Sequence, residues 1–267
     1  MDSLWKHVWE NASSIGIARG ISVAKGAVIY GIKILTADRK SLNTKRNISV
    51  QVTFFWAFGD VSQATVGELL GLDTVHTLPN WFNMHRDLCI DWMRANPPVI
   101  GGPGHIVQID ESLISKAKRA VNARARPVAE RWVFGGIDTT TSEAFLVEVP
   151  QRDAATLLPV LQQHVLPGTT VWSDQWAAYR QIPQVTGLPH QTVNHSLHFV
   201  NPATGVNTNT VENMWRCAKD KFKRMHGTSQ AHISSYLQEF LWRRQHSRED
   251  CFESAVALMR WRYPVPQ

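Results

Sequence analysis

Cysteine is scarce in this sequence, and long apolar runs are absent from it. The three cysteines, Cys89, Cys217 and Cys251, are far apart, odd in number and form no CxxC pair. Neither a disulfide framework nor a structural zinc site is supported, and three reduced thiols in an intracellular protein is the simplest reading. No segment holds enough consecutive apolar residues to span a bilayer. The start, Met1 to Glu10, lacks a signal-peptide pattern. A soluble, non-secreted protein is expected. Internal repeats and low-complexity tracts are missing too, which excludes solenoids and tail-like segments. Acids are in deficit: 22 Asp and Glu stand against 28 Lys and Arg, a net charge of +6. That balance favours an anionic partner, usually nucleic acid, because cations that neutralise phosphates release counterions. Basicity alone does not single out DNA.

What is present is ordinary globular composition, 43% hydrophobic and 19% charged over 267 residues. This length holds one sizeable domain and a smaller one. Pro97-Pro98 and Gly101-Gly102-Pro103-Gly104 punctuate the chain, so residues 97–104 read as a linker. It would separate an N-terminal region, 1–96, from a second domain, 105–267. Glycines at 16, 20, 26 and 31 show no clear period, and residues 1–50 receive no role. From Ser62 to Arg94 the pattern is helical. Val66, Leu69 and Leu70 recur, Gly71-Leu72-Asp73 interrupts, then Val75, Leu78, Trp81 and Phe82 recur. This is the outline of a helix-turn-helix or of a plain helical hairpin. Pro79 is expected to kink the second helix or move its start.

Past the linker, His105 to Asp110 alternates apolar and polar and reads as a strand ending at Asp110. Trp132 to Asp138 and Ala144 to Val149 read as two more, turned at Thr139 to Glu143. Ala154 to Val165 is helical and stops at Pro167-Gly168. Thr169 to Asp174 is a fourth strand and Gln191 to His195 a short fifth. Helices follow over Val211 to Arg244, broken near Gly227, and over Glu249 to Arg260. Three strands in hairpin order, a helix, two strands and a helix is the order of the ribonuclease H-like α/β fold. The expected fold is therefore a mixed sheet with flanking helices, preceded by a small helical, helix-turn-helix-like domain.

Asp110 and Asp174 each end a strand, and Glu212 opens a helix. In this fold the first and fourth strands are central neighbours, so their ends set two carboxylates side by side and the helix supplies the third. Such oxygen donors suit Mg²⁺ or Mn²⁺. Two ions about 3.5–4 Å apart can activate an attacking oxygen and stabilise the leaving one. Most acids are solvated surface charges, so the triple, not any single member, is the signal. Glu111 falls on the opposite strand face from Asp110. Asp138 is expected at the far end of the sheet.

Glu212, Trp215 and Lys219 share one helical face. Lys219 reads as a phosphate contact or a solvated lysine. Trp215 reads as core packing or a base-stacking ring. Lys221, Lys223 and Arg224 extend a basic strip suited to a DNA backbone. Lys116, Lys118, Arg119, Arg124 and Arg126 form a second stretch between the first two strands, either a DNA-contacting segment or a charged loop. His195 follows the fifth strand and reads as a positioner of phosphate or water or as a structural histidine.

These residues resemble a known family. Gly101 to about Arg244 is similar to the catalytic domain of Merlin-superfamily transposases and their bacterial insertion-sequence relatives with an ISXO-like catalytic domain. The likeness rests on Ile109-Asp-Glu-Ser112, Trp132-Val-Phe-Gly-Gly136, Ala155-Thr-Leu-Leu-Pro159, His164-Val-Leu-Pro-Gly168, Ser173-Asp174, Val193-Asn-His-Ser196, Glu212-Asn-Met-Trp-Arg-Cys217 and Tyr236 to Arg243. Relatives tend to carry a glycine and basic run after the first acid, where this chain has Ser112-Leu-Ile-Ser115. The resemblance implies a DDE transposase that nicks terminal inverted repeats and transfers the freed 3′-hydroxyl to target DNA. It assigns Asp110, Asp174 and Glu212 to the acids and Lys219 to the lysine that follows. It also implies double-stranded DNA partners, at least a homodimer on paired ends, and an upstream helix-turn-helix. A nucleus is the favoured location if the bearer is eukaryotic, the cytoplasm if bacterial. The alternatives are a ribonuclease H-like nuclease or resolvase, and a host-retained DNA-binding protein without catalysis.

Overall fold

A computed structural model describes residues 45–59, 61–116, 130–195, 197, 199–225 and 228–263. The described residues form two compact units, one from 45–88 with 246–263 and one from 89–245.

The first unit begins, among the described residues, with α1 (Lys45–Phe58), α2 (Gln63–Leu70) and the start of α3 (Thr77–Ala95). Ser62 caps α2, its Oγ accepting the Thr65 N–H at 3.1 Å. Gly71 ends α2 in the left-handed region at φ 63°, where a side chain would be strained. The Asp73 carboxylate then accepts the N–H groups of Val75, His76 and Thr77. These bonds set the start of α3 at Thr77, so Pro79 falls in its first turn, where a missing N–H breaks no helical bond. Pro79 therefore moves the helix start and leaves its interior alone. Val52, Phe55, Val66 and Leu78 form the core of this unit. The last helix, α8 (Cys251–Arg262), packs on α1, with Phe252 edge-on to Phe54 at 5.6 Å. Among the described residues α8 is thus grouped with the first unit, its apolar face buried on α1.

The second unit carries a five-stranded sheet. Its strands are β2 (Ile106–Ser115), β3 (Arg131–Asp138), β4 (Ala144–Val149), β6 (Thr170–Asp174) and β7 (His190–Val193). Their order is β4-β3-β2-β6-β7. The hairpin-linked pairs β2–β3 and β3–β4 are antiparallel, whereas β2–β6 and β6–β7 are parallel. The crossover from β4 to β6 runs through α4 (Ala154–His164), capped by Asp153. This is the ribonuclease H-like arrangement, as the order of elements predicts. On one sheet face Val107, Ile109, Phe134, Phe145 and Val149 pack with Leu157 and Leu161 of α4, Tyr179 of a short 3-10 helix (Ala177–Gln181) and Ile182 of α5 (Ile182–Thr186). Each such fully buried side chain contributes about 1.5–3 kcal/mol. The other face receives α6 (Asn209–Arg224), and α7 (Gln230–Arg244) packs on β4.

Two features differ from the sequence reading. The proline-glycine cluster is no free linker. β1 (Ile100–Gly101) pairs in parallel with β5 (Val165–Leu166), and the Gly102 N–H donates to Thr169 Oγ1 at 2.7 Å. The unit boundary falls earlier, inside α3. Second, β2 does not end at Asp110. Its ladder with β6 stops at Gln108, but its ladder with β3 continues to Ser115. Asp110 therefore lies where one neighbour is lost and the other persists.

Candidate active site

Parallel pairing matches Ile106 with Thr170, Val107 with Val171 and Gln108 with Trp172. The same register carried on two residues brings Asp110 level with Asp174 on one face of the sheet. Asp110 is opposite Gly135 on β3, and there the sheet is thin by design of its side chains. A Cβ on Gly135 would meet the Trp215 ring at 2.9 Å, and one on Gly136 would meet Phe145 at 2.4 Å. Paired glycines let α6 approach one face and the core fill the other.

Gln108 explains how α6 comes to this place. Its side chain is buried between β2 and the helix start, and its Oε1 accepts the N–H groups of Thr210 and Val211 at 2.9 and 3.1 Å. Its Nε2 donates to Asn207 Oδ1 at 3.1 Å. Two of the otherwise orphan donors of the α6 N-terminus are thereby tied to the strand residue two before Asp110. Glu212 is in the first turn of that helix. Burial on the other side of α6 comes from Val211, Met214, Trp215 and Ala218.

Burial and neighbouring charges act on these groups in common. Burial pushes the Asp110 carboxyl up to about 7; the Glu111 backbone N–H opposes this, and the charges of Asp174 and Glu212 add to it. Glu111 is likewise pushed up to about 7 by burial, against a hydrogen bond from the Tyr179 hydroxyl. It occupies the opposite face from Asp110, toward Tyr179. Burial lowers the Lys219 ammonium, opposed by the Asp110 charge. Asp174 Oδ1 accepts the Trp176 N–H at 2.9 Å. Glu212 Oε1 accepts the Thr208 hydroxyl at 2.8 Å, and that hydroxyl oxygen lies 2.8 Å from His195 Nε2. With its proton given to Glu212, Thr208 can only accept from His195, so Nε2 carries the hydrogen. Among the described residues no three His, Cys, Asp or Glu groups close into a metal cage. Asp174 and Glu212 are instead engaged by Trp176 and Thr208.

Asp174, Glu212 and Lys219 lie near enough to Asp110 for their charges to act on it, and His195 reaches Glu212 through Thr208. Trp215 is buried, its ring against Gly135, and serves the core. Lys221 turns toward α7, where it bonds Glu239 at 2.6 Å and lies over the Tyr236 ring. Arg224 pairs with Asp220 at 3.1 Å, and Lys223 is exposed. Lys116 is exposed at the end of β2, whereas Lys118, Arg119, Arg124 and Arg126 lie outside the described residues. Asp138 is fully buried far along β3, opposite Val107, and accepts from His105 at 2.6 Å. Sequence reasoning missed Gln108, Thr208 and Tyr179. Only Gln108 carried a signal, as a polar residue inside an apolar strand on the face of Asp110. A cavity of about 180 Å³ lies elsewhere, among Pro98, Thr141, Leu241 and Arg244. Asp110 stands on the open edge of β2 beyond Gln108, where the ladder with β6 stops.

Residues 102–245, more than half of the chain, match the family model described as the ISXO2-like transposase domain. An uncharacterized transposase-like protein of Haemophilus influenzae is 31% identical over 118 residues, covering 44% of this chain and 91% of the relative. Among solved structures, the HTLV-2 integrase catalytic core domain in complex with magnesium is similar at 13% identity and a TM-score of 0.33, over 52% of this chain and 84% of that one. The catalytic core domain of BIV integrase is similar at 18% identity and a TM-score of 0.33, over 50% and 80%. The family match coincides with the sheet, the Gln108-anchored helix and the three acids, and this chain belongs to the ISXO2-like transposase family.

Proposed function

We propose that the chain is a DNA transposase that nicks terminal inverted repeats and joins the freed 3′-hydroxyl to target DNA, with Asp110, Asp174 and Glu212 as its catalytic acids. The observation that supports this reading is the Gln108 anchor, which ties the first turn of α6, with Glu212, to the strand residue two before Asp110. The donor set fits a pair of Mg²⁺ or Mn²⁺ ions: it is all carboxylate oxygen, and Asp110 is a desolvated acid among other acids. Bound there, the ions would supply charge neutralisation on the attacking and leaving oxygens of an in-line displacement.

The side chains do the rest. Water attacks a phosphodiester first and releases a 3′-hydroxyl. That hydroxyl then attacks a target phosphodiester and displaces its 3′-oxygen. His195 acts through Thr208 to hold the Glu212 carboxylate. Lys219, half-buried beside Asp110, meets a phosphate next to the scissile one. Lys223 and Arg224 continue the contact along α6, and Lys116, Lys118, Arg119, Arg124 and Arg126 serve the same strand from the segment after β2. Lys221 is committed to Glu239 and contributes to DNA binding by fixing α6. The turn between α2 and α3 suits a helix-turn-helix reader of the terminal repeat, and a dimer would pair two ends. No helix among the described residues is long and apolar enough to cross a membrane. The relative is bacterial, which favours the cytoplasmic over the nuclear alternative.

A strand-transfer assay tests the reading, with purified protein, a labelled inverted-repeat end, target plasmid and Mg²⁺ or Mn²⁺. Nicked and joined products are expected, and their loss in Asp174→Ala. Nicking of branched DNA alone would make the chain a resolvase. Binding without cleavage in every metal would make it a silent DNA-binding protein.

A further inference from the structure

Arg152 is exposed in the loop between β4 and α4, immediately before the α4 cap Asp153. Its guanidinium carbon stands 3.7 Å from the centre of the Trp132 ring and 5.4 Å from that of Trp176. Among the described residues no carboxylate forms an ion pair with it, although Glu111 feels its charge. Both rings are firmly held. Trp132 sits in the ladder between Leu113 and Val149. Trp176 donates its backbone N–H to Asp174 and packs edge-on against Tyr179 at 5.6 Å, whose hydroxyl donates to Glu111.

A guanidinium lying over indoles is fixed in orientation, and its in-plane N–H donors stay free for a planar, bidentate acceptor. With no carboxylate bound among the described residues, those donors face solvent and are open to an incoming anion. The cluster stands on the Glu111 side of the sheet, whereas Lys219 approaches from the α6 side, so two cations of different kinds flank the carboxylate edge. A strand crossing this edge carries phosphates at regular intervals and passes both.

We propose that Trp132, Arg152 and Trp176 form a DNA-backbone site in which the stacked guanidinium binds a phosphate of the strand that crosses the carboxylates, on the side away from Lys219. This rests on the reading of the carboxylate edge as a DNA-cutting site. The cluster sets where the strand lies and carries no sequence information.

The test uses the full chain and a fluorescein-labelled duplex of generic sequence, followed by anisotropy across a salt series. Arg152→Ala should weaken binding about tenfold at low salt and reduce the slope of log affinity against log salt by about one. Arg152→Lys, which keeps the charge but not the planar fork, should restore the slope and only part of the affinity. Neutral methylphosphonates are then placed singly along the strand. One position should weaken the wild type and leave Arg152→Ala unaffected. An unchanged slope in Arg152→Ala, with the same methylphosphonate profile as wild type, would overturn the proposal while metal-dependent cleavage by the wild type upheld the larger reading. A wild type that neither binds nor cuts DNA would overturn both.

Discussion

The two faces of β2 do different work with alternate residues of one strand. Val107 and Ile109 go into the main core, and Glu111 follows them onto the same face, tied to the Tyr179 hydroxyl and near Arg152. Gln108 and Asp110 face α6; one anchors the helix and the other feels the charges of Asp174, Glu212 and Lys219. Asp110 and Glu111 are both pushed to about 7 by burial, yet their neighbours differ. A raised carboxyl pKa therefore does not separate the two acids; their neighbours do. Both feel Asp174, but Asp110 also feels Glu212 and Lys219, whereas Glu111 is held by the Tyr179 hydroxyl and feels the Arg152 guanidinium.

The sharpest way to break this contrast is to neutralise each acid in turn. Asp110→Asn should abolish cleavage, by about 10³-fold or more, without loss of thermal stability, because it removes a desolvated charge. Glu111→Gln keeps an acceptor for Tyr179 and should cost no more than about tenfold, read as single-turnover rates. Equal losses would erase the distinction between the faces.

The next effect belongs to Gln108. Gln108→Leu leaves two helix N–H groups without their acceptor and should lower stability by about 1–3 kcal/mol. Misplacement of Glu212 should lower cleavage by about 10²-fold. Gln108→Glu keeps the acceptor and places a negative charge at a helix N-terminus, so its melting temperature should stay close to wild type.

The two glycines give a smaller, paired test. Gly135→Ala forces a Cβ onto Trp215 and Gly136→Ala forces one onto Phe145, each costing about 1–3 kcal/mol by overpacking. Only the first pushes on α6, so only the first should reduce cleavage at a temperature where both variants are folded.

Least in size is an acid effect remote from the edge. Burial raises the Glu239 carboxyl, but the charges and hydrogen bonds of Lys221 and Arg243 outweigh it and hold the group below its ordinary range. A depressed carboxyl contributes stability above its unfolded value near 4.5, lost as pH falls through the folded value. Melting curves between neutral pH and pH 3 should flatten on this acid limb in Glu239→Gln.

The sheet and its acids were legible because their signals are local. Strand alternation around Asp110 and Asp174, the Gly-Gly pair and the stop after α4 are all written within a few residues. What escaped depends on partners far along the chain. Gln108 is joined to a helix that begins about a hundred residues later. β2 outruns Asp110 only because β3 pairs with it, and α8 joins the first unit only because α1 offers an apolar face. Proline and glycine marked 97–104 as a break, but β5 supplies a strand for it to pair with. Arg152 and its indoles belong to three separate segments that only the folded sheet brings together.

The claim that Asp110, Asp174 and Glu212 form one metal centre is tested most directly by iron-directed cleavage of the protein itself. Fe²⁺ replaces Mg²⁺, ascorbate and peroxide generate hydroxyl radical at the bound ion, and the backbone breaks are mapped by mass spectrometry. Breaks are expected near all three acids, suppressed by excess Mg²⁺ and absent in Asp174→Ala. Breaks confined to one acid, or to a site elsewhere in the chain, would contradict a shared centre.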